Sequence, residues 1–145
     1  MNEKDLTIIA HLRKDARIAL TDISKKTQIP VSTIFDRLKS TEMDYVIKHT
    51  TLLDFEKLGY NSKNIFVIKV SPERRALLKD YLIAHQNVNN IYLTNSNYDY
   101  VMETVFRNQK DTQHFIEEIE KHFCVSEIKK FNIIEDIGRE KFLSI

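Results

Sequence analysis

Residues 20–41, LTDISKKTQIPVSTIFDRLKST, constrain the fold more than any other part of the chain. Leu20 and Ile23 form an apolar pair one helical turn apart, and Ile34 and Leu38 recur four residues apart. The intervening sequence carries a proline, whose missing N–H suits the start of a second helix. The pattern therefore predicts two short amphipathic helices joined by a tight turn.

The second of these helices has a polar face opposite its apolar stripe. Its members are Ser32, Thr33, Asp36, Arg37 and Lys39. A helix that is apolar on one side and hydrogen-bonding on the other can rest on a scaffold and lie in the major groove of DNA. Arg37 or Lys39 could meet guanine or phosphate, and Asp36 could accept from cytosine N4. The alternative is an ordinary helical hairpin whose polar face is solvated.

The flanking residues extend this hairpin to a winged helix-turn-helix. A first helix is expected from a cap at Asp5 to about Asp15. Residues 45–55, YVIKHTTLLDF, are rich in β-branched and aromatic residues and predict two short strands. Lys48 and His49 would lie on or near this wing and are further candidates for DNA contact.

After Gly59 the spacing of apolar residues changes from helical to the alternation typical of strands. We therefore place the domain boundary between residues 1–60 and 61–145. The second part predicts strand, helix, strand, strand, helix and strand, at about 64–70, 72–84, 88–94, 98–107, 111–123 and 126–137. This α+β order is the ferredoxin-like βαββαβ arrangement. Two helices cover one face of such a sheet, so the other face would leave aromatic and branched residues bare, and a homo-oligomer is expected.

Composition limits the other functions. Lys and Arg total 22 against 21 Asp and Glu, so DNA binding would need local clusters of positive charge. The single cysteine, Cys124, excludes an intramolecular disulfide framework and is expected to be buried. The first residues lack a signal-peptide core and no apolar run is long enough for a membrane, so a cytoplasmic protein is expected. The spacing of the five histidines predicts no metal site, and the sequence contains no glycine-rich phosphate loop or nucleophile motif that would indicate a cofactor or catalysis.

The order and spacing of these segments resemble the Lrp/AsnC, or feast/famine, family of transcriptional regulators. The resemblance is carried by DLTIIAHLRKDARIALTDISKKTQIPVSTIFDRLKSTEMDYVIKHTTLLDFEKLGY and by AHQNVNNIYLTNSNYDYVMET. It implies a C-terminal domain of the RAM type, a homodimer built on the C-terminal sheets and, in many members, an octamer. It also implies a third helix that reads double-stranded DNA, and amino acids or related small molecules bound between C-terminal domains.

Three departures from the family lie in the N-terminal half. Gln28 and Tyr45 stand where glycines are usual, before and after the third helix. A left-handed non-glycine residue costs roughly 1 kcal/mol or more, so the local turns are expected to differ. Thr41 occupies the place of a core leucine.

The effector turn departs further from the family pattern. The usual Gly-Asp-Tyr-Asp reads Ser96-Asn97-Tyr98-Asp99 here, and Ile128 and Lys130 replace threonines of the last strand. These four turn residues are the candidate effector-binding residues. Asp99 survives, but the pocket chemistry around it does not match the family, so we expect no standard amino-acid effector, or an unusual one.

An enzyme with the same two-part architecture is the alternative. Residues 84–100, AHQNVNNIYLTNSNYDY, resemble the corresponding strand pair of sirohaem decarboxylases. Thr94 stands where those enzymes usually have arginine, and Tyr98-Asp99-Tyr100-Val101 replaces a Tyr-Asn-Leu-Trp run.

Overall fold

The chain folds into two compact units. The computed structural model describes residues 2–144, apart from the side chains of residues 42 and 43. One unit comprises Met1–Leu52 and Ile137–Ile145, and the other comprises Leu53–Asp136. Residues 53–60, which the sequence placed in the first domain, therefore belong to the second unit. Across the described part of the chain, no helix combines the length and apolarity needed to cross a membrane.

Three helices form the first unit, as the apolar spacing predicts. They are α1 (Glu3–Lys14), α2 (Leu20–Thr27) and α3 (Val31–Asp44). The cap of α1 is Asn2 rather than the expected Asp5: Asn2 Oδ1 accepts from the Asp5 backbone N–H at 3.0 Å. Asp5 Oδ2 accepts from the Asn2 N–H in return, at 3.2 Å, which completes a capping box. The helix thus begins three residues earlier than a cap at Asp5 predicts.

The wing predicted over residues 45–55 is not formed. Residues 46–54 have no regular secondary structure, and 55–59 form a turn. A hairpin needs a turn with residues that tolerate positive φ, whereas the middle of this stretch reads Lys48-His49-Thr50-Thr51. The β-branched composition was therefore not enough to make the two strands pair.

The second unit has the predicted βαββαβ order. Its elements are β1 (Ser62–Val70), α4 (Arg75–Ala84, preceded by a turn of 3-10 helix at Pro72–Arg74), β2 (Val88–Leu93), β3 (Tyr100–Phe106), α5 (Gln109–His122) and β4 (Val125–Asn132). The strands lie in the order β2-β3-β1-β4, and each neighbouring pair is antiparallel. The last strand ends five residues before its predicted limit. Cys124, expected to be buried, is exposed at φ 46° between α5 and β4.

The two faces of the sheet differ in what covers them. Helices α4 and α5 cover one face, and the core there includes Phe66, Ile68, Leu78, Leu82, Tyr100, Met102, Phe115 and Ile119. Leu77 of α4 lies outside this core and is 53% exposed. Alternation along β1 places Val67 on the opposite face, in register with Val101 of β3 and Lys129 of β4. Tyr92 of β2 continues this row and is 60% exposed.

The C-terminal residues join the first unit through one arginine of α1. Arg13 Nε donates to the Phe142 carbonyl at 3.0 Å, and Arg13 Nη2 donates to the Glu140 carbonyl at 3.2 Å. Arg13 Nη1 also forms an ion pair with Glu140 Oε2 at 3.1 Å. These contacts explain why residues 137–145 pack with the helices instead of extending β4.

Candidate nucleic-acid interface

A small apolar core fixes the orientation of α3. Ile8 of α1, Ile23 of α2 and Ile34 of α3 are fully buried against one another, and Ile29 joins them from the connecting turn. Because Ile34 faces this core, residues half a turn away on α3 face outward. The arrangement is a helix-turn-helix in which α3 presents a defined outer face.

The turn between α2 and α3 retains a left-handed residue without glycine. Gln28 has φ 61° and ψ 19°, and its N–H donates to the Ser24 carbonyl at 2.8 Å. Ser24 Oγ donates to the Ile29 carbonyl at 2.6 Å and supports the same turn. Tyr45, at the end of α3, has φ −125° and ψ −19°, so that end uses a different conformation.

Most of the predicted DNA-reading side chains share the outer surface of α3. Ser32, Asp36 and Lys39 are exposed, and Thr33 is half-buried beside them. Thr33 and Asp36 line a shallow depression of about 350 Å³ together with Asp5, Arg37 and Ser40. Base edges could be met by a hydroxyl, a carboxylate and an ammonium group along this face.

Arg37 is held within the helical unit. Its Nη1 lies 2.8 Å from Asp5 Oδ1, with side-chain exposures of 31% and 17% respectively. The hydrogen bond from Arg37, followed by the backbone N–H of Asn2, lowers the pKa of the Asp5 carboxyl. Arg37 Nε is buried and has no partner. In this arrangement the guanidinium links α3 to α1, whereas the sequence assigned it to guanine or phosphate.

Lys48 and His49 lie outside the α3 surface. Both side chains are exposed in the segment 46–54, where the wing strands were expected. The structure therefore gives them no place on a hairpin, and their role in DNA contact remains a prediction.

Apolar residues on α3 and basic residues on α2 were missed by the sequence reasoning. Phe35 and Val31 are 58% and 40% exposed, although both are hydrophobic. Lys25 and Lys26 are exposed in the last turn of α2. A helical wheel centred on Ile34 puts Phe35 about 100° away, towards the polar face, which is the signal that could have identified it.

The division into units reveals a charge asymmetry that chain order conceals. The helical unit, residues 1–52 with 137–145, holds 11 Lys/Arg and 8 Asp/Glu, a net charge of +3. Residues 53–136 hold 11 Lys/Arg and 13 Asp/Glu, a net charge of −2. The local excess of positive charge that DNA binding needs is thus on the unit that contains the helix-turn-helix.

The predicted effector residues lie together in the turn from β2 to β3. Asp99 is engaged internally: Oδ2 accepts from the Val70 N–H at 2.9 Å, and Oδ1 pairs with Arg75 Nη2 at 2.8 Å. The Tyr98 hydroxyl donates to Glu127 Oε1 at 2.8 Å. Ser96 and Asn97 are exposed at the tip of the turn.

Comparisons with known proteins agree with this architecture. A family model described as winged helix-turn-helix DNA-binding matches residues 1–40. The HTH-type transcriptional regulator FL11 of Pyrococcus abyssi is 32% identical over 120 residues, which cover 82% of this chain and 80% of the relative.

Solved structures share the whole fold. The crystal structure of the transcriptional regulator NMB0573/L-Met complex from Neisseria meningitidis has a TM-score of 0.87 at 16% identity, covering 96% of this chain and 93% of that one. The structure of E. coli AsnC has a TM-score of 0.82 at 18% identity, and the match covers 96% of this chain and 95% of AsnC.

The named proteins are regulators, and none of them supports the sirohaem decarboxylase alternative. The FL11 relative is similar over most of both chains, and the AsnC structure matches both units. The chain therefore belongs to the Lrp/AsnC family and is a helix-turn-helix, DNA-binding regulator of transcription.

Proposed function

We propose that this regulator binds a palindromic operator as a homodimer, with α3 of each protomer in the major groove of one half-site. The observation that carries the proposal is the two-sided character of α3, which is buried at Ile34 and exposed at Ser32, Asp36 and Lys39. Side chains at the N-terminal half of such a helix are the ones that reach base edges in helix-turn-helix proteins.

Phosphate contacts are assigned to α2. In helix-turn-helix proteins the helix before the reading helix crosses the DNA backbone. Lys25 and Lys26 are exposed there, on the unit that carries the net charge of +3. These lysines would supply sequence-independent affinity, since they can neutralise phosphates without reading bases.

The open sheet face supports the dimer. The row formed by Tyr92, Val101 and Val67 is apolar, and Phe131 adds a ring that is 53% exposed. A contiguous apolar surface of this kind on a sheet is usually covered by another subunit. A two-fold contact between identical faces gives one α3 helix per half-site and matches a palindrome.

A small-molecule effector is the third part of the proposal. The NMB0573 regulator of Neisseria meningitidis was crystallised as a complex with L-Met, and its fold matches this chain at a TM-score of 0.87. The β2–β3 turn offers Ser96 and Asn97 as exposed polar groups, while Asp99 is committed to Val70 and Arg75. We therefore assign ligand contact to Ser96, Asn97 and Tyr98 and expect an effector different from the standard amino acids.

Selection from a random-sequence DNA pool with the full chain, at two salt concentrations, tests DNA reading. A palindromic motif whose affinity falls steeply with salt is expected. Failure to enrich any motif at low salt would contradict the proposal.

Light scattering tests the assembly, because a dimer or an octamer gives two or eight times the 17.2 kDa chain mass. Val67→Asp, which puts a charge in the centre of the open face, should reduce that mass to the single chain. A Lys129→Asp variant, changed at the charged end of the same row, should keep more of the assembly. A wild-type chain that stays monomeric at micromolar concentration would rule out the dimer.

A further inference from the structure

The outer face of α3 has little net charge to offer DNA. Lys39 and Asp36 are both exposed on it and carry opposite charges, and Arg37 is paired with Asp5. A carboxylate on the reading face repels phosphate, so Asp36 can be accommodated only if it faces bases. Attraction to the DNA phosphates must therefore come mainly from residues outside this face. The role left to α3 is discrimination between base sequences.

The same face exposes a large apolar side chain. Phe35 is 58% exposed and lies at the edge of this face, one turn after Ser32 and one turn before Lys39 along α3. It follows Val31, which is 40% exposed, by four residues. Neither belongs to the buried cluster of Ile8, Ile23, Ile29 and Ile34. A single exposed phenylalanine is common on protein surfaces, but its position here is the middle of the helix that reads DNA.

We propose that Phe35 determines specificity by packing against the C5 methyl group of a thymine in the major groove. The inference rests on the proposed function, since it requires α3 to lie in that groove. The thymine methyl is the apolar group that base pairs present on the major-groove edge, and phenylalanine is among the side chains that contact it. Val31, one turn earlier, extends the apolar strip toward the neighbouring base pair.

The test compares thymine with uracil, which lacks only the methyl group. The probe is the duplex enriched by wild-type protein from the random pool, with deoxyuridine replacing thymidine at one position at a time. At one or two positions per half-site, removal of the methyl should weaken wild-type binding about fourfold, the equivalent of one buried methyl group. The Phe35→Ala variant should bind thymine and uracil duplexes equally at those positions.

Matched measurements keep the result unambiguous. Ile83→Ala removes another exposed apolar side chain, 63% exposed on α4, and should retain the wild-type preference for thymine. The thermal midpoint of Phe35→Ala should match wild type, and its affinity for an unrelated duplex at low salt should be unchanged.

Any of the following results would overturn the inference. Wild-type affinity that is indifferent to uracil at every position excludes a methyl contact. A thymine preference that persists in Phe35→Ala assigns the methyl contact to another residue. If that variant also forms an assembly of different mass, Phe35 belongs to a contact between subunits. A wild-type chain that enriches no DNA would refute the proposed function as well, so the two failures are distinguishable.

Discussion

Arg37 Nη1 lies 2.8 Å from Asp5 Oδ1, and this ion pair ties the third helix of the chain to the first. The arginine stands where the sequence placed a DNA contact, yet its guanidinium meets a carboxylate of the same unit. Asp5 is also the N3 residue of the α1 capping box, so one side chain stabilises both the start of α1 and the packing of α3. The pair therefore gives Arg37 a part in folding as well as its predicted part in DNA binding.

Replacing Arg37 by alanine should lower the thermal midpoint of the protein by about 2–4 °C. The change removes the ion-pair partner of Asp5 and the packing of the arginine side-chain stem. The effect is small because both side chains of the pair are partly exposed to solvent. Circular dichroism melting provides the measurement. Lys39→Ala, at an exposed position on the same helix, is the control and should melt with wild type. An Arg37→Ala midpoint equal to that of Lys39→Ala would remove the structural role.

Acid should weaken the helical unit through Asp5. The folded-state pKa of Asp5 lies below its ordinary value because Arg37 and the Asn2 N–H hold the charged form. Its contribution is thus complete above the unfolded-state value of about 3.9 and is lost as pH falls through the lower folded value. The midpoint difference between wild type and Asp5→Asn should be steady from pH 5 to 7 and shrink below about pH 4. Equal differences at pH 3 and pH 6 would show that the carboxylate charge is not involved.

Gln28→Gly should stabilise the helix-turn-helix. Gln28 holds a left-handed conformation that glycine adopts without strain, so the free energy of unfolding should rise by about 0.5–1 kcal/mol. Urea denaturation measures the change. Gln28→Ala keeps a Cβ in the same conformation and should bring no such gain. Tyr45→Gly, at φ −125°, should destabilise instead, because glycine gains nothing there and adds backbone entropy to the unfolded chain.

These two turns show how far the sequence could lead. Helix and strand positions followed from apolar spacing because burial decides them, and Ile23 and Ile34 are buried as predicted. The absence of the two glycines predicted strained turns. The backbone angles show that Gln28 does adopt the left-handed conformation, whereas Tyr45 has negative φ and is not strained in this way. Pairing of Arg37 with Asp5 joins residues 32 positions apart, which a local pattern does not reveal. The predicted wing was likewise wrong, because strand-forming composition does not by itself provide the turn that a hairpin requires.

Lys25→Ala and Lys26→Ala should weaken binding to all duplexes by a similar factor. If each lysine neutralises one phosphate, its loss should reduce the slope of log affinity against log salt by about 0.9. Fluorescence anisotropy with the enriched duplex and an unrelated duplex provides both slopes. Lys79→Ala removes an exposed lysine from α4 of the acidic unit and should leave the slope unchanged. A loss confined to the enriched duplex would instead make these lysines base readers.

Asp99→Ala should unfold the sheet unit more readily. Removal of the carboxylate leaves the Val70 N–H without its acceptor and Arg75 without its partner, which should cost about 1–2 kcal/mol. Arg75→Ala should cost less, because that side chain is 47% exposed and the Val70 hydrogen bond survives. Ser96→Ala, at the exposed tip of the turn, should leave stability unchanged. If Asp99→Ala kept full stability but lost the response of DNA binding to a small molecule that acts on the wild-type protein, Asp99 would be an effector ligand rather than a brace of the turn.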